Sequence, residues 1–159
     1  MDANRQAKSY QKDLNQLLNS EILGEQLFAT AARLSRNLQQ REKWQTLAAL
    51  EAQTKRYFTD YLRQSQQHAK ARQLIKLQAS ISGAALAFLP WKISMQLLDQ
   101  GTAPFLQCFE RLNQGSSPQD LAFFNYVLAH EQAIKKFAQL EQQNKPDQSL
   151  EPVLKLLAL

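Results

Sequence analysis

The chain is poor in the residues that interrupt helices or cross-link a fold: 4 glycines, 5 prolines and one cysteine, Cys108, among 159 residues. A single cysteine excludes an intrachain disulfide framework and fits a reducing compartment. No stretch alternates strongly in β-branched residues, so strands are not expected. The N-terminal residues MDANRQAKSYQKDLNQ lack the apolar core of a signal peptide. The longest uncharged run in the apolar region, Leu77–Trp91 between Lys76 and Lys92, has 15 residues and includes Gln78, Ser80, Ser82 and Gly83. That is short of the roughly 18–20 apolar residues needed to span a bilayer. The expectation is a soluble, most simply cytoplasmic protein, with residues 1–159 forming one domain.

Acidic charge is missing over a long interval. Between Asp60 and Asp99 there is no Asp or Glu, while Arg63, Lys70, Arg72, Lys76 and Lys92 fall there, in a chain of net charge +5. Such a stretch beside an apolar helix suits an anionic surface, whether membrane, nucleic acid or an acidic partner; it also suits a solvated end of a helical protein. No nucleic-acid reader motif is present, so specific nucleic-acid binding is not expected. No Gly-rich phosphate loop occurs, and Cys108 in FLQCFERL reads as a buried thiol with no catalytic partner.

What is abundant is Leu, Ala, Gln, Lys, Arg and Glu, all good helix formers. A first helix is predicted over about 5–35, with the stripe Leu14, Leu18, Glu21, Glu25, Phe28 and Ala32. A second is predicted over about 40–66, with Trp44, Leu47, Glu51, Thr54, Phe58 and Tyr61. A third covers about 71–100, bent or divided by Pro90, and GTAP (101–104) predicts a further break. A fourth starts at Ser117 as cap with Pro118 in first position and runs to about 143. Its stripe is Phe124, Val127, Glu131, Ile134, Ala138 and Glu141. Ser149 would cap a short terminal helix over 150–158. The steps of three and four are one helical face each. The expected fold class is all-α: an antiparallel four-helix bundle with a kinked third helix and a short C-terminal helix.

Glu21, Glu51 and Glu131 thus fall at mid-height on three apolar faces. A buried carboxylate must be protonated, paired or bound to a cation. Alternatively each is a solvated boundary residue, with Arg33, Lys55 or Lys135 as a partner. His130 adjoins Glu131. Neighbours on a helix point about 100° apart, which predicts that Glu131 faces inward and His130 a surface or a hydrogen-bonding partner. His68, near a helix end, is expected to be exposed.

Four long helices with mid-helix glutamates resemble the ferritin-like superfamily of di-iron carboxylate proteins, in which two helices carry a Glu and two carry Glu-x-x-His. The apolar stretch GAALAFLPWKISMQLL is faintly similar to the third helix of demethoxyubiquinone hydroxylases, membrane-peripheral di-iron enzymes acting on a lipid quinone. The ligand set departs from the pattern: Thr54 and Ile134 stand where histidines belong, and the third helix has no mid-helix Glu. The resemblance therefore implies a degenerate di-iron site. Glu21 and Glu51 would be its main ligands for iron or another divalent metal, Glu131 would bridge, and Glu25 or His130 would assist. No catalytic residue is assigned. The alternative is a non-enzymatic helical module whose third helix meets a membrane, a lipid or a second copy in a homodimer.

Overall fold

In a computed structural model, which describes the backbone of residues 2–158 and side chains from residue 5 to 158, the chain is all-helical. Six helices follow one another: α1 (Asp2–Leu34), α2 (Leu38–Gln64), α3 (Ile75–Phe88), α4 (Trp91–Gln114), α5 (Leu121–Gln142) and α6 (Glu151–Leu157). Asn37 caps α2 by accepting from the Gln40 amide at 3.0 Å, satisfying an amide that has no intrahelical partner. Gln66 and Asn144 follow α2 and α5 with φ of 56° and 57°. Both take the left-handed conformation that closes helix C-termini.

Three sequence expectations shift. The third predicted helix divides at Leu89–Pro90, as its proline implies, but it starts only at Ile75. Residues 68–72 are instead strapped to α1: Gln11 donates to the His68 carbonyl (2.6 Å), while Asn15 and Asn19 accept from the amides of Lys70 and Arg72 (2.8 Å each). GTAP does not break the chain; α4 runs through Pro104. Proline frees the carbonyl four residues back, and here that carbonyl belongs to the exposed Gln100. The 117–120 start signal is displaced by one turn. Ser117 accepts backbone bonds from Asp120 and Leu121, and α5 begins after Asp120.

α1 and α2 run antiparallel: Tyr10 bonds Tyr61 at one end of the pair and Phe28 stacks on Trp44 at the other. α4 and α5 do the same, from Asn113–Asn125 to Trp91–Phe137. α1 also touches α4, and α2 touches α5, so each of the four long helices meets two others. Their apolar faces form two separate clusters. One holds Phe28, Trp44, Leu50, Met95, Ile134 and Phe137; the other holds Leu14, Leu17, Phe58, Phe109, Phe124 and Val127. Along α1, α2 and α5 the stretch between the two clusters carries Glu21, Glu51 and His130–Glu131. A polar layer therefore separates two complete apolar cores.

α3 packs on α1 through Gly83. A Cβ there would lie 2.3 Å from the Leu27 carbonyl oxygen, so only glycine permits this approach. The opposite face of α3 is uncovered: Leu74, Leu77, Ile81 and Phe88 are 71, 59, 64 and 67 % exposed. Among the described residues, no helix is long and apolar enough to cross a membrane.

Candidate metal centre

Glu21 of α1, Glu51 of α2 and His130 of α5 each present a ligand atom within 4.8 Å of the others. His130 Nε2 lies 3.2 Å from Glu51 Oε2, and Nδ1 lies 3.9 Å from Glu21 Oε1. All three side chains are buried. Gly24, one turn after Glu21, makes room for the cluster: a Cβ there would sit 2.2 Å from Glu51 Oε1. Four polar atoms here, Glu21 Oε2, Glu51 Oε2, His130 Nδ1 and His130 Nε2, have no hydrogen-bond partner in the protein. Such orphans are rare and costly. Orphaned atoms on three residues that each bring one donor atom within 4.8 Å of the others are the strongest chemical signal in the molecule.

Burial sets the electrostatics. It pushes the Glu21 carboxyl well above the ordinary carboxylate range, opposed by the nearby His130 and reinforced by Glu51 and Glu131. Burial lifts Glu51 to about 8, with a hydrogen bond from Glu21 pulling the other way. Burial also lifts Glu131 to about 8, with His130 lowering it and Glu51 raising it. Charge in this layer is expensive unless a cation or protons accompany it.

His130 and Glu131 are both buried, which corrects the expectation that only one of the two faces inward. α5 is contacted by α2, α4 and α6, so its inward arc is wider than the angle between neighbours. His130 meets Glu21 and Glu51. Glu131 instead lines an apolar cavity of about 330 Å³, where Glu51 also contributes. Glu25 is not brought to the cluster; it pairs with Lys55 at the partly exposed edge of α1 and α2.

Thr54, where the resemblance wants a histidine, donates to the Leu50 carbonyl at 3.0 Å and lies 3.2 Å from the Tyr126 hydroxyl. Ile134 joins the apolar cluster. Asp99, the acid nearest to the missing fourth donor, turns away to Lys135 at 2.6 Å and to Gln139 and Gln142. Burial opposes its ionisation, but these hydrogen bonds win and hold its carboxyl below the usual range. His68 is exposed and Cys108 is buried, both as expected.

Two features escaped the sequence reading. Glu141, one stripe residue among six, is a buried hub that accepts from Lys43, Ser149 and the Trp91 indole. Gly24 is the other: a glycine inside a helix is itself a signal, costing about 1 kcal/mol relative to alanine. The donor set fits a divalent cation: imidazole suits iron, zinc or nickel, and carboxylate suits manganese or magnesium. Comparison with family models, curated proteins and solved structures gives no match for this chain.

Proposed function

We propose that this chain is a metal-binding helical protein whose centre is held by Glu21, Glu51 and His130, with Glu131 beside it. The observation that carries the reading is the convergence of these donors, with four orphaned polar atoms, between two apolar cores. The two antiparallel pairs and the mid-height carboxylates support a ferritin-like four-helix architecture with a reduced ligand set. One imidazole in place of two favours a single metal ion over a pair. Iron or manganese would supply one-electron chemistry at the site, and any divalent ion would supply Lewis acidity.

The test is titration of chelator-treated protein with Co(II), Mn(II) and anaerobic Fe(II). One equivalent per chain is expected, with visible Co(II) bands in wild type that Glu51→Gln weakens or abolishes. Absence of binding by all three ions would overturn the reading.

A second reading is favoured by the uncovered apolar face of α3. Leu74, Leu77, Ile81 and Phe88 lie on one helical face, followed by the exposed Leu89, Ile93 and Leu97. Lys70, Arg72, Lys76 and Lys92 flank them without an acid. That composition matches an anionic membrane surface. It is less suited to a homodimer, in which a two-fold axis would set this basic patch against itself. Co-sedimentation with phosphatidylserine vesicles at low salt, lost in Leu77→Ser/Ile81→Ser, is the expected result. Vesicle binding unaffected by that double change, or no binding at all, would refute it.

A further inference from the structure

The apolar cavity lies in the same layer as the candidate metal centre and shares α1, α2 and α5 with it, but it opens toward α3 and α4. Its walls are Leu23, Leu27 and Phe28 of α1, Leu86 of α3, and Leu98 and Phe105 of α4; Glu51 and Glu131 supply its carboxyls. Among touching helix pairs α3 and α4 make the sparsest contact, and the lining residues Ala85, Leu97 and Gly101 are exposed. The cavity therefore opens to the surface between these two helices.

Gly101 has no structural reason to be glycine. It lies well inside α4, where glycine costs about 1 kcal/mol relative to alanine. Gly83 is required by the Leu27 backbone and Gly24 leaves room for the Glu51 carboxyl, but a Cβ on Gly101 would meet nothing within 4 Å. What a side chain there would meet is the mouth of the cavity.

We propose that this cleft is a binding site for an uncharged apolar small molecule, which passes Gly101 and sets a single polar end against Glu51 and Glu131. A cavity of about 150 Å³ accommodates benzene. The 330 Å³ found here then suits a molecule of roughly a dozen non-hydrogen atoms, at the lower end of small-molecule sites. Glu51 and Glu131, buried carboxyl side chains that both line the cavity, are the groups against which a hydroxyl or similar donor can rest. The proposal rests on the cavity and not on the metal, so either reading can fail while the other stands.

2-Naphthol, a neutral compound of about this size, is a suitable probe. Its binding is followed by calorimetry on the full chain, as purified and again after chelation. Wild type and Gly101→Ala are expected to bind one equivalent, and Gly101→Ala to melt higher. Gly101→Trp, and Gly101→Leu as a smaller plug, are expected to bind about tenfold more weakly or worse, without a lower melting temperature. Leu77→Ser/Ile81→Ser, on the exposed face of α3, is expected to bind as wild type does. No binding by wild type, unchanged binding by both plugged variants, or loss of binding in the α3 double variant would each overturn the proposal.

Discussion

Replacing Glu51 by glutamine separates two descriptions of the buried layer. If the metal-free protein keeps the Glu51 carboxyl protonated, as its elevation to about 8 implies, the amide of glutamine is a near-isosteric neutral substitute. If instead Glu51 is a carboxylate paired with a protonated His130 across their 3.2 Å separation, the same change leaves a buried imidazolium alone. Removing one member of a buried pair costs about 3–5 kcal/mol.

The magnitude follows from proton linkage. In the unfolded chain Glu51 titrates near its ordinary value of 4.5, and in the folded chain near 8. Between those values the folded state holds a proton that the unfolded state has released. The stability Glu51 contributes is therefore intact below the lower value and is lost as pH rises through the higher one. The loss is about 1.4 kcal/mol per pH unit for one carboxyl. For a domain of this size each kcal/mol moves the melting temperature by about 2–4 °C. Chelator-treated wild type should thus fall relative to Glu51→Gln by about 3–6 °C per pH unit between roughly pH 5 and pH 8. Circular dichroism melts across that range measure it. Parallel curves would refute the protonated carboxyl, and a variant that melts far lower at every pH would establish the ion pair. Adding Co(II) should reverse the wild-type trend, because the cation displaces protons and binds more tightly as pH rises.

Gly24→Ala should weaken Co(II) binding about tenfold or more by displacing the Glu51 carboxylate, while the alanine itself favours the helix; Co(II) titration beside a thermal melt distinguishes the two effects. Gly83→Ala drives a methyl into the Leu27 carbonyl, and a loss of about 1–3 kcal/mol is expected in urea unfolding. Glu141→Ala strands the Lys43 ammonium and the Trp91 indole; about 3–5 kcal/mol should be lost, with Co(II) affinity retained because Glu141 lies outside the donor cluster.

The helical faces were readable because a helix repeats every 3.6 residues regardless of partners. All six residues of the α2 stripe and all six of the α5 stripe are buried. The breaks were harder. Pro90 and Pro104 carry the same local penalty, yet one ends a helix and the other does not, since the outcome depends on what surrounds the freed carbonyl. His130 was misjudged for a related reason. Periodicity gives the direction of a face, but the width of the buried arc depends on how many helices surround it, and that is a tertiary fact. Neither the cavity nor the strap of residues 68–72 on α1 has a sequence period. The Gln11, Asn15 and Asn19 spacing that holds the strap looks like any polar helical face.

The layer that holds Glu21, Glu51, His130 and Glu131 is not explained by stability. The apolar clusters on either side each contain fully buried aromatic and aliphatic side chains, so two cores stand without it. Apolar residues of matching volume in place of buried ionisable groups are commonly neutral or stabilising. The helices instead keep four such groups, plus a glycine at 24 whose only evident purpose is to admit one of them. α1, α2 and α5 provide the donors. α4, where a fourth donor would complete the ring, provides Leu98, Gly101 and Thr102, and the wall there becomes a cavity open to the surface. A missing ligand and an open cleft at the same height are two aspects of one arrangement. If Glu21, Glu51 and His130 hold a cation, the side they leave free is the one that faces this cleft.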